Sequence, residues 1–184
     1  MVALREEERG FPVSAEVGIN APDRPLAVLC EAPGAQEAAT SRPLVGLTGR
    51  IFDALLYDAG IDRRDIVILN RVRCRPPHNR LAEAPGSIEA CDEWLMKELE
   101  AYRPAVVLAM GGTALTKFFG TNAKVGQMRG VTRTITVASG TLTAVATYHP
   151  ASLLPNRSPE NRPLVIEDMK LAVQRRQEIL WLSS

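Results

Sequence analysis

The sequence predicts an α/β protein, a three-layer α/β/α sandwich around a mostly parallel central sheet, and three observations predict it. Short apolar runs within residues 26–29, 65–69 (after Asp65) and 105–109 read as strands buried on both faces. Segments with apolar residues spaced three and four apart follow them, as on helices packed against a sheet. The runs also end at polar or glycine-rich turns, which gathers polar residues at strand carboxyl ends, the edge where open α/β sheets bind ligands. Strands alternating with helices call for parallel pairing.

Residues 1–25 are polar and broken by Pro12, Pro22 and Pro25, so they read as a loosely attached arm with at most one short turn. Residues 26–184 read as one domain. After the first strand, a loop to Gly49 carries Glu31, Glu37, Gly34 and an Arg42-Pro43 corner. The helix from about Leu47 places Ile51, Leu55 and Ala59 on one face, with Phe52 and Leu56 beside them, and Gly60 ends it. The second strand, 65–69, leads into Asn70. RVRCRPPHNRLAEAPG follows, a basic segment too broken by proline for helix or strand, and Ser87 is expected to cap a helix to about Tyr102. Ile88, Cys91, Leu95 and Leu99 form its apolar stripe. The third strand, 105–109, turns at Gly111-Gly112 into a short helix over 113–119. A polar loop, TNAKVGQMRG, precedes two β-rich runs, 132–137 and 142–148, that form a hairpin around Ser139-Gly140 and end at His149. Pro163 suits a first helical turn, and 164–182 is a long last helix with Arg175 and Arg176 on its wet side.

Composition bounds the partners. No apolar run approaches the roughly 20 residues of a membrane span, so no membrane contact is expected. The acidic first residues lack the basic flank and apolar stretch of a secretory signal, which makes a cytoplasmic or nucleoid, reducing location the expectation; a monomer is also expected. Cys30, Cys74 and Cys91 are an odd number without a CxxC pair, against a disulfide framework and against a simple zinc site. The net charge of +1 gives no global attraction to nucleic acid, so any such binding must come from local basic clusters. Glu31, Asn70 and His149, far apart in sequence, converge on one sheet edge in this fold, which is how a site is assembled.

CEAPGAQEA followed by SRPLVGLTG, then LNRVRCRPPHNR, then HPASLLPNR occur in that order along the chain. Together they resemble the uracil-DNA glycosylase superfamily, most closely its iron–sulfur, family-4 branch, whose motifs look like GEAPGxxED with GRPFVGxAG, an Asn-ended strand before a KCRPP-like segment, and HPAxLLR. VGQMRG is similar to that family's loop before its final strands. The resemblance implies hydrolysis of the bond between uracil, or a related deaminated base, and its deoxyribose on a nucleotide flipped out of DNA. It implies that His149 donates a hydrogen bond to the leaving base and that Asn70 reads the base's Watson–Crick edge. Glu31, with Glu37 as a further candidate, would position the attacking water and stabilise the cationic sugar. Ala32, Pro33, Gly34 and Ala35 would let the backbone approach base and sugar, with Leu44 in the pocket. Arg42, Arg73, Arg75, Arg129 and Arg157 are implied phosphate contacts. Ser152, Leu153 and Leu154 look like the segment that touches phosphate and fills the gap left by the flipped base, with one of the two leucines exposed.

The chain departs from that pattern at several places. Leu44 stands where the motif has the Phe that stacks on uracil, Cys30 and Ser41 replace glycines, and Pro155 replaces an Arg. A family-4 cluster takes four thiolates, two from an N-terminal CxxC and two at positions like Cys74 and Cys91. Residues 1–29 hold no cysteine, so no metal or other cofactor is expected. Three functions remain open: a glycosylase on uracil or a related deaminated base, a glycosylase-fold protein that binds DNA or a nucleotide with weak or no excision, and an enzyme of the same fold acting on a different base or a free nucleotide.

Overall fold

The apolar runs form the middle of a six-stranded sheet in the computed structural model, which describes residues 11–183. The strands are β1 (Glu16–Val17), β2 (Leu26–Cys30), β3 (Ile66–Asn70), β4 (Val106–Met110), β5 (Thr132–Val137) and β6 (Gly140–Thr147), in the spatial order β1-β3-β2-β4-β6-β5. The four central strands are parallel and the two outer ones antiparallel. The helices are α1 (Ala35–Thr40), α2 (Leu47–Ala59), α3 (Ser87–Tyr102), α4 (Gly112–Phe119), α5 (Val125–Met128) and α6 (Arg162–Leu182).

Every residue of β2, β3 and β4 is buried, because helices cover both faces. Leu26 and Val28 face one layer with Phe52 and Leu55 of α2 and Val165 and Met169 of α6. Ala27 and Leu29, one position out of phase, face Leu95 and Leu99 of α3 and Ala114 and Phe118 of α4. Each fully buried Leu, Ile or Phe here contributes about 1.5–3 kcal/mol relative to an exposed one. The chain leaves β2 toward β3 on one side and returns past it to β4 on the other. The carboxyl end of β2 is therefore the point where the strand order reverses, and a crevice opens there. No helix among the described residues is long and apolar enough to cross a membrane.

Several local expectations need correction. The segment read as a loose arm is, from residue 13 on, tied to the sheet: Val13 is buried, its N–H donates to the Arg73 carbonyl, and β1 pairs with β3. Residues 1–10 lie outside the described residues. Gly86, not Ser87, holds the cap position of α3, and the Ser87 hydroxyl donates to the Ala84 carbonyl at 2.7 Å. The loop after α4 contains the short helix α5. On α6, Arg176 is half-buried and donates to the Arg24 and Asp23 carbonyls, pinning the turn before β2, while Arg175 pairs with Glu178.

Candidate active site

Sheet register sets the site. Cys30 stands opposite Asn70, and Met110 opposite Thr147, so the last residues of all four parallel strands end on one edge. The ladder runs on into the loops, with Arg71 N–H on the Cys30 carbonyl and Gly111 N–H on the Thr147 carbonyl, both at 2.9 Å. Over this edge lies a cavity of about 530 Å³ whose walls include Glu31, Asn70 and His149. Ala32, Pro33, Gly34, Ala35, Glu37, Leu44, Ser152 and Arg157 also face it. Three residues separated by most of the chain thus share one pocket.

His149 is half-buried, and its Nδ1 accepts a hydrogen bond from the Ala151 N–H at 3.2 Å. That bond fixes the neutral tautomer that carries its proton on Nε2. Burial holds the imidazole pKa below its ordinary value, against the pull of the Glu31 carboxylate and with the help of Arg157. The ring is thus a neutral N–H donor. Gly111 makes room for it: its φ is +89°, and a Cβ there would lie 2.9 Å from the His149 Cβ. Asn70 is 7% exposed, and its carboxamide takes no partner among the described residues, which leaves both its donor and its acceptor for a ligand.

The two loop carboxylates do different things. Glu31 is half-buried and accepts a hydrogen bond from the Thr113 hydroxyl. Glu37, expected beside it as a catalytic group, is instead spent on the backbone. Its Oε1 accepts from the Val45 and Gly46 N–H groups at 3.0 and 2.8 Å, and its Oε2 from the Gly34 N–H at 3.1 Å. Such a carboxylate shapes the loop, tying the start of α1 to the segment before α2.

Leu44 is buried with φ +49°, a backbone state rare for a side chain of its size. Two contacts hold it there. The Arg63 guanidinium donates to the Leu44 and Pro43 carbonyls at 3.0 and 2.8 Å, and the Leu44 carbonyl lies where a Cβ on Gly49 would be, 2.1 Å away. Arg63 is itself held by Glu16 of β1 at 2.6 Å and Asp53 of α2 at 2.8 Å. Apart from the His149 imidazole, no aromatic ring lines the cavity among the described residues; its apolar lining includes Leu44, Leu47, Met110, Pro33, Pro76 and Cys30.

Of the arginines expected at phosphates, Arg157 is exposed on the cavity rim without a protein partner among the described residues. Arg75 is bonded to Asn79, which lines the cavity. The other three do not line the cavity and have protein partners of their own. Arg42 pairs with Glu16 at the sheet edge, Arg73 reaches Ser14 and stacks over Trp94, and Arg129 bridges to buried Asp168 at 2.8 Å. Ser152 donates its hydroxyl to the His149 carbonyl at 2.7 Å and shapes that loop. Leu153 is buried in the core and Leu154 half-buried, which leaves Leu154 as the leucine with exposed surface.

Sequence reasoning missed Thr113 and the cluster in which Asp92 takes both Arg71 and Lys117, the latter at 2.7 and 2.8 Å. The signal for Thr113 was its place just after the Gly111-Gly112 turn, at a strand's carboxyl end. A four-thiolate cluster does not fit this chain. The sequence has three cysteines, and Cys30 is buried against the cavity with its thiol pushed up to about 12 by burial. Among the described residues, no three His, Cys, Asp or Glu side chains are placed to hold a metal.

Comparison with known proteins agrees with this geometry. The family described as the uracil DNA glycosylase superfamily matches residues 17–170. A type-4 uracil-DNA glycosylase of Thermotoga maritima is 38% identical over 151 residues, 82% of this chain and 77% of that protein. One of Saccharolobus solfataricus is 34% identical over 145 residues, 76% of this chain and 66% of that protein. A type-5 uracil-DNA glycosylase of Pyrobaculum aerophilum is 29% identical over 140 residues, covering 74% and 54%. With the family matched across most of its length and the motif residues gathered at one strand edge, this chain belongs to the uracil DNA glycosylase superfamily.

Proposed function

We propose that this protein is a DNA glycosylase that hydrolyses the N-glycosidic bond of uracil, or a related deaminated base, in DNA. The observation that carries the reading is the convergence of Glu31, Asn70 and His149 on one cavity. Asn70 pairs with the base edge, its amide donating to a ring carbonyl and its oxygen accepting from the neighbouring ring N–H, a pattern cytosine reverses. The bond between base and C1′ breaks, its electron pair leaves with the base, and His149 Nε2–H donates to the carbonyl oxygen where that charge gathers. Glu31 takes a proton from water as the water oxygen bonds to the cationic C1′. Arg157 and the Arg75 segment hold phosphates on the rim, Leu154 fills the gap in the stack, and the enzyme works as a cytoplasmic monomer on damaged DNA.

One observation favours a second reading, a site adapted to a different base: the cavity wall offers Leu44, Met110 and Cys30 where stacking would call for an aromatic ring. Single-turnover release from oligonucleotides carrying uracil, hypoxanthine or xanthine, run beside an electrophoretic shift, tests both. Uracil release is the expected result, and Leu44→Phe should speed it about fivefold by restoring part of a stacking interaction of about 1–3 kcal/mol. Faster release of a larger base, with Leu44→Phe slowing it, favours the second reading. Binding without release of any base sinks the glycosylase assignment.

A further inference from the structure

We infer that Thr113 is a positioning residue for the water attack: its hydroxyl holds one oxygen of the Glu31 carboxylate so that the other faces the water. The inference rests on the glycosylase reading above. Glu31 sits at the start of a loop, on a side chain with several rotatable bonds, and a general base acts only within hydrogen-bond reach of the proton it removes. Something must fix it. Among the described residues, the hydrogen bond its carboxylate takes is the one from Thr113 Oγ1. The donor is suited to the task, because Thr is branched at Cβ and stiff at χ1. It is also the second residue of α4, whose amino-terminal end favours a negative charge beside it.

The helix that carries Thr113 is in turn tied to the rest of the site. The Thr113 carbonyl accepts from the Thr116 hydroxyl at 2.9 Å, and Gly111, which caps the helix, packs against His149. One turn on, Lys117 holds Asp92 of α3, and Asp92 also holds Arg71, the residue after Asn70. Thr113 is therefore referenced to the same strand ends that supply Asn70 and His149. Glu37 has no equivalent freedom, since three backbone N–H groups hold it, among them those of Gly34 and Gly46 at the starts of α1 and α2.

Thr113→Val keeps the shape and removes the donor, while Thr113→Ser keeps the donor. Single-turnover uracil release by Thr113→Val should fall about 10- to 100-fold, the worth of one hydrogen bond to a charged group. Affinity for the same DNA should stay within about twofold, and Thr113→Ser should recover most of the rate. A Thr113→Val variant as fast as the parent overturns the inference, and so does a Thr113→Ser variant as slow as Thr113→Val. A second arm needs no turnover: in crystals of the variants, Glu31 should keep its rotamer in Thr113→Ser and lose it in Thr113→Val. A Glu31 carboxylate unmoved in Thr113→Val overturns the inference as well. A parent that releases no base from any oligonucleotide refutes the glycosylase reading instead, and the crystallographic arm still decides the placement of Glu31.

Discussion

The two halves of the loop after β2 carry one glutamate each, and the fold treats them oppositely. In the second half, Glu37 lies at the third position of α1, reaches back to the Gly34 N–H and forward to two more, so that both its oxygens are engaged by the backbone. In the first half, Glu31 follows directly on β2 and meets one hydroxyl from a different helix. The first kind of carboxylate builds a loop, and the second can serve a reaction. Residue type and neighbourhood in sequence do not separate them; an account of where each oxygen's hydrogen bonds go does.

Exchanging the two roles should produce opposite phenotypes, which makes the pair a direct test. Glu31→Gln should lower single-turnover base release by about 10²- to 10⁴-fold, the range for a general base, with the melting temperature nearly unchanged. Glu37→Ala strands three backbone donors and should cost about 3 kcal/mol, lowering the melting temperature by roughly 6–12 °C. Comparable stability losses in the two variants, measured by calorimetry, would erase the distinction. The same contrast recurs among the arginines. Arg129→Ala leaves buried Asp168 with the Thr147 hydroxyl, and should cost about 2 kcal/mol, tempered because Asp168 can take up a proton. Arg157→Ala should leave stability alone and reduce the salt slope of DNA binding by about one. A stable Arg129→Ala protein with weakened DNA binding would reverse the assignment.

The smallest effect is a pH dependence. Burial lowers the folded-state pKa of His149 below the unfolded value of about 6.5, so the unfolded chain binds more protons between those two values. The histidine's contribution is fully present above about pH 6.5 and is lost as the pH falls toward the lowered value, at no more than about 1.4 kcal/mol per pH unit. His149→Gln should therefore lose less stability than the parent between pH 6.5 and 5. Equal losses in denaturant titrations across that window would mean that burial does not act on this ring.

The sheet's centre was legible because β2, β3 and β4 are buried on both faces, and such strands must be continuously apolar. Glu31, Asn70 and His149 were legible because they follow such strands or the hairpin, where the fold itself gathers side chains. β1 was not, since two residues at an edge, Glu16 and Val17, need no apolar pattern to pair. The arginines were not, because an ion pair such as Arg129 with Asp168 or Arg42 with Glu16 depends on which elements the fold brings together. Thr113 was hidden for the same reason: its partner lies 82 positions away.

Arg63 gives the order in which this molecule should fail on warming. It connects Glu16, in the short strand at the sheet's margin, to the carbonyls that keep Leu44 in its unusual conformation. Margins of sheets open before their centres. Opening of β1 would take Glu16 from Arg63 and leave it the Asp53 carboxylate, loosening the wall of the base cavity while the buried strands stay intact. Catalytic activity should therefore be lost at a lower temperature than far-ultraviolet circular dichroism, and the interval between the two should shrink in Arg63→Met, where the wall is already unclamped.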